Sequence, residues 1–559
     1  MSQPESEYKL LPHQNEAIKF MKDIETNKKS ELRGGIIGLK MGMGKTFTLL
    51  THIVNHSKKE GSAPNLVIVP KTAMFTWKCE IEKFYKDQVR VLIFHNDYNR
   101  IHLINRELLN EYDIVLVNYE TIRNVFAKQS DFYLSRTLSN INEAGSLVGL
   151  QIPSRPIHNE FIGEEIIFSV NWNMIVADES HNFANSKTKL WRALMCLSAD
   201  YRWCLTGTPV RNWDLDIYSQ MKFLGFKDSE NKFNIKNFSR DYHLYKKFIH
   251  YREYSNSTIV LPPVSSVTVY TQFYPLQEKL YGIILDKIKR IFKEDDFNFG
   301  EKPKDDFAAI LRYFTRLRQI CLASYSILNC SKRKAQDKLK SDEWIFATSD
   351  EDELEEEDEE EKEEKEMIKE WLYCREFTSG LISPKVEKCI DIIQSIPQGE
   401  KVIIFTTFKA VIDLCMELLS IRCPEKSAIF IDGDVKGLKR DEKLFAFKTR
   451  PNVNVLFISF KLGSESLNLT EANNIILLEP QWSPATIEQA KARVHRMGQT
   501  KPVKIFEVIM ERSIEVNIVN LCKDKQECAN FMLGKKDKFV RNDNSKLTRE
   551  KIAEILGYH

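Results

Sequence analysis

The stretch that decides the fold lies near the start of the chain, where residues 34–46 read GGIIGLKMGMGKT. Its apolar first half predicts a buried strand, and a helical pattern follows Thr46. A strand, a glycine loop and a helix form a cradle for phosphate, because glycines admit backbone N–H groups and the helix N-terminus adds partial positive charge. We therefore expect Lys45 to reach the β- and γ-phosphates of ATP and Thr46 to ligate Mg²⁺. The strict phosphate-loop spacing is broken, because Leu39 replaces its first glycine.

Two carboxylates, Asp178 and Glu179, directly follow the apolar run at residues 174–177. A carboxylate at the end of a buried parallel strand lies beside the phosphate loop in this topology. We expect Asp178 to hold Mg²⁺, usually through water, and Glu179 to polarise the water that attacks the phosphate. The alternative is an acidic helix start that only complements the helix dipole.

A third signal lies some 300 residues later, where Ser483 and Pro484 are typical of a helix start. Gln489, Arg493 and Arg496 follow at i, i+4 and i+7, so they share one helix face. Two guanidiniums on one edge suit a phosphate that is approached from another lobe, as arginine fingers do. The alternative is a solvated basic face.

Short continuous apolar runs recur in both halves of the chain and alternate with helical patterns. Such runs are typical of parallel sheets buried on both faces, so we expect an α/β protein of two lobes, each a parallel sheet flanked by helices. The runs lie at 35–38, 66–69, 114–117, 174–177 and 203–205, and then at 402–405, 428–431, 455–458, 475–478 and 503–509. We expect the first lobe at 1–224, a helical insertion at 225–348, an acidic linker at 349–370, the second lobe at 371–533 and a basic tail at 534–559.

The charge distribution hints at a polyanionic partner. The 559-residue chain has a net charge of +2, yet residues 350–366 hold fourteen acidic residues and two lysines, so the remainder carries about +14. This acidic block cannot bury apolar surface, and we predict a disordered loop that is either passive or competes with DNA.

The composition also excludes several classes of protein. Hydrophobic residues make up 43% and charged residues 29%, which is ordinary for a globular protein. No apolar run has the length of a membrane span, and the polar N-terminus lacks the apolar core of a signal peptide, so we expect an intracellular protein without membrane contact. The 11 cysteines include no CxxC pair, so we expect reduced thiols and no structural zinc.

Taken in order, these residues resemble the Swi/Snf-type ATPases of helicase superfamily two over about residues 8–520. Further segments match the family's opening motif, motif Ia, motif III, its helical insertion, the start of its second lobe, motif V and motif VI. They are, in that order, Leu11–Gln14, Val69–Lys71, Leu205–Pro209, Leu317–Cys321, Ser383–Lys385, Leu467–Thr470 and His495–Gln499.

The resemblance implies two RecA-like lobes that close over ATP and Mg²⁺ and move along duplex DNA without separating its strands. It implies that DNA lies across both lobes on the edge opposite the nucleotide. The nucleotide-binding residues would be Gln14, Gly42, Met43, Gly44, Lys45, Thr46 and Gln489, and the catalytic residues Lys45, Asp178, Glu179, Arg493 and Arg496. The nucleic-acid candidates would be Lys71, Thr206, Gly207, Thr208, Thr406, Thr407 and Asn468.

The chain also departs from the family pattern. Lys40 follows Leu39 where the family has Asp-Glu, Ser180 replaces an alanine of motif II, and residues 463–466 replace a glycine-rich run of motif V. Residues 123–171 stay unassigned, and no RING module stands between the lobes. A motor of this minimal kind also resembles ATPases of large DNA viruses.

We expect a monomeric motor that acts on duplex DNA, with chromatin or an RNA polymerase as further candidate partners. It would work in the nucleus if it is cellular, and in the host cell or virion if it is viral. Two alternatives stay open: an RNA-dependent ATPase that unwinds its substrate, and a catalytically inactive scaffold that binds nucleic acid.

Overall fold

The computed structural model describes residues 8–27, 30, 32–55, 63–96, 98–128, 164–183, 185, 188–208, 214–226, 246–254, 260–293, 304–322, 383–431, 438–463 and 467–532. Within these ranges the strands form two sheets, and every strand pairing is parallel. The expected architecture of two α/β lobes is confirmed.

The first sheet has seven strands in the order β3-β4-β2-β5-β6-β1-β7. Its strands are β1 Gly34–Leu39, β2 Asn65–Val69, β3 Val91–Ile93, β4 Ile114–Asn118, β5 Asn171–Asp178, β6 Ser198–Thr206 and β7 Ile249–Arg252. The helices up to β7 are α1 Pro12–Thr26, α2 Lys45–Asn55, α3 Met74–Tyr85, α4 Arg106–Asn110, α5 Tyr119–Lys128, α6 Ile166–Ser169, α7 Lys189–Met195 and α8 Asp214–Phe223.

The second sheet has six strands in the order β10-β11-β9-β12-β13-β8. Its strands are β8 Val264–Thr271, β9 Val402–Thr406, β10 Ser427–Ile431, β11 Val453–Ser459, β12 Asn474–Leu477 and β13 Val503–Met510. The helices that follow β8 are α9 Pro275–Lys293, α10 Lys304–Leu322, α11 Pro384–Ser395, α12 Lys409–Arg422, α13 Leu438–Thr449, α14 Phe460–Gly463, α15 Pro484–Val494 and α16 Ile514–Met532.

Strand order in the first sheet brings the expected site residues to one edge. β6 lies between β5 and β1, with Asp178 opposite Leu205 and Gly38 opposite Thr206. The strands are parallel, so the loop after β1, the end of β5 and the turn after β6 all leave the sheet at the same edge. All ten apolar runs fall on strands of the two sheets, and most of them are buried, although the edge strand β10 is only partly buried.

The expected domain boundary at residue 224 and the all-helical insertion at 225–348 differ from the structure. β7 extends the first sheet beside β1, whereas β8 forms an edge of the second sheet beside β13. The chain therefore passes between the lobes between Arg252 and Val264. Neither strand contains a continuous apolar run that would have predicted it. Both lie at sheet edges, and most of β8 is exposed.

The segment Leu317–Cys321, expected within the first lobe's insertion, packs in the second lobe. It ends α10, and the adjoining Leu322 belongs to a buried cluster with residues of α11 and α12. Arg318 donates to the Pro480 carbonyl at 3.0 Å, at the end of the second sheet. The family motif was recognised, but the lobe assignment was wrong because sequence order does not give the crossover point.

A buried ion pair joins the start and the end of the second lobe. Lys385 in α11 donates to both Glu515 carboxylate oxygens, at 2.7 and 2.8 Å, and both side chains are fully buried. Glu515 also accepts from the Met510 backbone N–H at 2.8 Å. The pair fixes α11 against α16 beside β13.

Several expected features lie outside the described residues. These are the acidic block at 350–366, most of the unassigned segment 123–171, residues 464–466 of motif V and the tail from residue 534. Within the described part of the chain, no helix has the length and apolarity needed to cross a membrane.

Candidate active site

The phosphate loop after β1 turns through two glycines whose backbone angles other residues rarely adopt. Gly42 has a φ of +82° and Gly44 a φ of +77°. A Cβ atom on Gly44 would lie 2.4 Å from the Gln14 amide nitrogen, so a larger residue would displace the loop or α1. Gln14 accepts from the Leu11 backbone N–H at 2.9 Å and donates to the Met43 carbonyl at 3.2 Å. Gln14 therefore links the start of α1 to the phosphate loop through hydrogen bonds.

Lys45 begins α2 and lies over the turn that follows β6. Its ammonium is 4.0 Å from Glu179 Oε1, which is too long for a hydrogen bond. A Cβ atom on Gly207 would lie 3.0 Å from the same ammonium, so only glycine lets the turn approach so closely. This arrangement leaves Lys45 able to meet a phosphate oxygen.

The Asp178 carboxylate is held at both oxygens. Oδ2 accepts from the Trp77 indole N–H at 2.8 Å, and Oδ1 accepts from the Glu179 backbone N–H at 2.9 Å. Burial, and then the neighbouring charge of Glu179, raises the pKa of Asp178. A bound cation would offset this cost, so the carboxylate suits a metal ligand.

Glu179 adopts a backbone conformation that is strained for a residue with a side chain, with a φ of +49°. Burial acts to raise the pKa of Glu179, but the charges of Lys45, His181 and Arg493 together lower it. One carboxylate oxygen lies 3.3 Å from His181 Nδ1. Glu179 is thus ionised and aimed into the site, as a residue that orients water must be.

A magnesium ion fits the oxygen atoms that meet here. The Thr46 hydroxyl interacts with Glu80, which as a carboxylate can only accept its proton, and the Asp178 carboxylate is bonded by Trp77 of the same helix. Hydroxyl and carboxylate oxygens are the ligands that Mg²⁺ prefers, with phosphates and water completing its shell. Thr46 and Asp178 would therefore hold it.

The second lobe places both expected arginines at the phosphate loop. Arg493 in α15 is buried, and its guanidinium lies 3.9 Å from the Met41 sulfur. Its charge also acts on Glu179. A Cβ atom on Gly42 would lie 3.0 Å from the Arg496 Cβ. The structure therefore brings Arg493 and Arg496 to the first lobe's loop, as expected of residues that complete the site from the other side.

A cleft between the lobes continues from the loop. Gln489, Ala485 and Ala492 of α15 face Met41 and the 207–208 turn across it. Lys40, at the position where the family has an acidic residue, forms an ion pair with Glu488 of α15 at 3.4 Å. Gln489 is buried at this interface, consistent with the expected nucleotide contact.

Tyr254 is a site residue that the sequence did not reveal. It lies where the chain crosses between the lobes, and its hydroxyl donates to the Met41 carbonyl in the phosphate loop. Its ring also packs edge-on against His495, 6.3 Å between centroids. Burial raises the pKa of Tyr254 to about 12, so the phenol stays protonated and remains a donor. No local pattern could have identified this contact, because its partners are more than 200 residues away.

The nucleic-acid candidates differ in how accessible they are to a ligand. Thr206 and Thr406 are buried, and each hydroxyl accepts a backbone N–H two residues on. The 206–208 turn lies in the cleft beside Lys45, not on the opposite edge where we expected nucleic acid. The exposed candidates, which keep access to a ligand, are Lys71, Thr407 and Asn468.

Comparisons with known families match both lobes. Residues 13–326 match the family described as SNF2-related domain, and residues 384–498 match the Helicase conserved C-terminal domain.

Three relatives show how far this similarity extends. “Putative helicase 172L” of Invertebrate iridescent virus 6 is 32% identical over 98% of this chain and 95% of the relative. “Probable global transactivator” of Orgyia pseudotsugata multicapsid polyhedrosis virus is 24% identical over 90% and 88% of the two chains. “DNA repair protein RAD5A” of Arabidopsis thaliana is 25% identical over 86% of this chain, but the match covers only 56% of that longer protein.

Proposed function

The chain belongs to the SNF2 family of helicase-like ATPases, and we propose that it couples ATP hydrolysis to translocation along duplex DNA. The observation that carries this proposal is the meeting of the two lobes at the phosphate loop. Lys45 and Glu179 come from the first lobe, and Arg493 comes from the second. A site completed by closure is what couples a chemical step to a domain movement.

Each residue then has a defined task in hydrolysis. Glu179, held ionised, orients a water molecule for in-line attack on the γ-phosphorus and accepts its proton as the bond to the leaving oxygen breaks. Lys45 and the two arginines stabilise the negative charge on the transferring phosphoryl oxygens. Mg²⁺ bound to Thr46 and Asp178 would neutralise phosphate charge. A Glu179→Gln variant should still bind ATP and fail to hydrolyse it.

The same contacts explain how hydrolysis moves the lobes. While the γ-phosphate is present, Arg493 and Arg496 have an anion to bind across the cleft. Its release removes that attraction, and the Lys40–Glu488 pair that remains is partly exposed and weak. Repeated closure and opening would advance lobes that hold DNA through its phosphates.

Duplex DNA is the substrate that we favour. The exposed residues Lys71, Thr407 and Asn468 support phosphate contacts, and the excess positive charge outside the acidic block supports a polyanionic substrate. A relative named as a DNA repair protein adds to this. Chromatin and a transcription complex are further candidates, and we propose that a single chain works in the nucleus or in a virus-infected cell.

The decisive experiment compares ATP turnover with duplex DNA, single-stranded DNA and RNA, using Glu179→Gln as the inactive control. We expect duplex DNA to stimulate most strongly. The wild-type chain should also displace the third strand of a DNA triplex without separating a forked duplex. Stronger stimulation by RNA, or efficient unwinding of the fork, would favour the RNA-dependent helicase instead. Absence of turnover in wild type would favour the inactive scaffold.

A further inference from the structure

Helix α3 contacts both oxygen ligands that we assign to magnesium. Trp77 donates its indole N–H to Asp178 Oδ2 at 2.8 Å, from a side chain that is 2% exposed. Glu80, three residues on and therefore on the same side of the helix, interacts with the Thr46 hydroxyl, which lowers the pKa of Glu80 while burial raises it. One helix thus touches the ligand that ends β5 and the ligand that opens α2.

Both contacts restrict the ligands in ways that favour a metal. A threonine hydroxyl that donates to a carboxylate cannot turn its proton toward a cation, so its lone pairs face the site. A carboxylate held by an indole N–H on one oxygen and by a backbone N–H on the other cannot rotate away. These contacts therefore fix the orientation of both ligands.

We propose that Trp77 and Glu80 are positioning residues that set the affinity of this site for magnesium-bound nucleotide. This inference rests on the proposed ATP site and deepens it. Neither residue touches the nucleotide in this role; each acts through Asp178 or Thr46. Partners of metal ligands in this position typically change metal affinity or activity about 10–100-fold when they are lost.

The same helix offers a matched control. Tyr85 donates from its hydroxyl to the Thr51 hydroxyl of α2 at 2.7 Å and is fully buried. Tyr85→Phe therefore removes a buried hydrogen bond between the same two helices without touching either magnesium ligand. Trp77→Phe likewise removes an N–H donor from a buried ring.

The test measures binding of a fluorescent ADP analogue to the full chain by titration, once with Mg²⁺ and once with EDTA. In wild type, Mg²⁺ should tighten binding. In Trp77→Phe and in Glu80→Ala, the dissociation constant with Mg²⁺ should rise about tenfold, while the constant in EDTA stays unchanged. Tyr85→Phe should keep the wild-type ratio of the two constants.

The unchanged EDTA constant itself shows that a variant is folded. If Glu80→Ala does not fold, Glu80→Gln takes its place, since it keeps the size and an acceptor oxygen, and it should lie between wild type and Trp77→Phe. If Trp77→Phe and the Glu80 variant both keep the wild-type ratio of the dissociation constants measured with Mg²⁺ and with EDTA, the proposal is overturned. If Mg²⁺ does not change the nucleotide affinity of the wild-type chain, the proposed ATP site itself is overturned, and with it the basis of this proposal.

Discussion

Two lysine–glutamate pairs, Lys45–Glu179 in the first lobe and Lys385–Glu515 in the second, have opposite geometry. Lys385 and Glu515 in the second lobe are fully buried, with contacts of 2.7 and 2.8 Å. Lys45 and Glu179 in the first lobe are 11% and 21% exposed, stand 4.0 Å apart, and Glu179 has a left-handed backbone.

The difference separates a structural pair from a functional one. In the Lys385–Glu515 pair the short hydrogen bonds compensate each charge for its lost hydration. In the Lys45–Glu179 pair the charge of Lys45 lowers the pKa of Glu179, yet the two groups are too far apart to form a hydrogen bond with each other. Lys45 and Glu179 therefore keep hydrogen-bonding capacity for a phosphate oxygen and a water molecule. The distance between the lysine and the glutamate, and whether they are hydrogen-bonded to each other, therefore distinguish the structural pair from the functional one better than burial does.

The largest effect should come from Arg493, which the second lobe places beside the Lys45–Glu179 pair. Arg493→Ala should lower ATP turnover by on the order of 10³–10⁵-fold, because it removes positive charge that acts on the transition state. Its effect on ATP affinity should be far smaller. The measurement is steady-state ATPase with nucleotide titration.

Lys491→Ala on the same helix is the control for Arg493, because Lys491 pairs with Glu507 on the surface at 2.9 Å. It should retain turnover within a few-fold. An Arg493→Ala turnover within tenfold of wild type would mean that Arg493 positions the lobes and does not act on the phosphate.

Exchanging each lysine for methionine should sharpen the comparison directly. Lys385→Met should lower the free energy of unfolding by about 3–5 kcal/mol, because Glu515 is left buried without compensation. Lys45→Met should change it by about 1 kcal/mol and reduce turnover by about 10²–10³-fold or more. Urea unfolding followed by circular dichroism, and ATPase per folded molecule, give the two readings.

The comparison fails if Lys385→Met does not lower stability, or if Lys45→Met lowers it as much as Lys385→Met is expected to. A Lys385→Met chain that is as stable as wild type, or a Lys45→Met chain that unfolds as easily as Lys385→Met, would show that geometry does not separate the roles.

Replacing both members of the structural pair should recover most of the loss. Lys385→Met combined with Glu515→Leu removes both buried charges, and such replacements are often neutral or stabilising by about 1–4 kcal/mol relative to the ion pair. The Met510 backbone N–H loses its acceptor, so we expect recovery to near the wild-type value. If the double variant is no more stable than Lys385→Met in urea unfolding, packing and not charge is what Lys385 supplies.

The smallest effect should come from the exposed pair between the lobes. Lys40→Ala removes the 3.4 Å contact with Glu488, whose side chain is 39% exposed. Exposed pairs contribute about 0–1 kcal/mol, so KM for ATP should change by less than about fivefold and the effect should vanish in high salt. Glu488→Ala should match it. A large, salt-independent change would place Lys40 in the nucleotide site.

The first lobe's site was predictable because its signals are local. Asp178 and Glu179 lie at the end of an apolar strand, and Lys45 and Thr46 follow another across a short glycine loop, so a parallel sheet brings all four to one edge. The ten apolar runs were predicted as strands because a continuous run of apolar residues can be recognised in the sequence alone. β7 and β8 were missed because polar residues interrupt both of them, since β7 reads IHYR and β8 reads VSSVTVYT.

The sequence by itself therefore determined most of the strands, the phosphate loop and the identity of the charged residues. The tertiary structure alone decided which distant side chains meet them. Tyr254 reaches the loop across 213 residues, Trp77 reaches Asp178 across 101, and Lys385 reaches Glu515 across 130. Backbone pattern is set within a few residues by sterics and burial, whereas these contacts depend on strand order and on where the chain crosses between lobes, which no local pattern encodes.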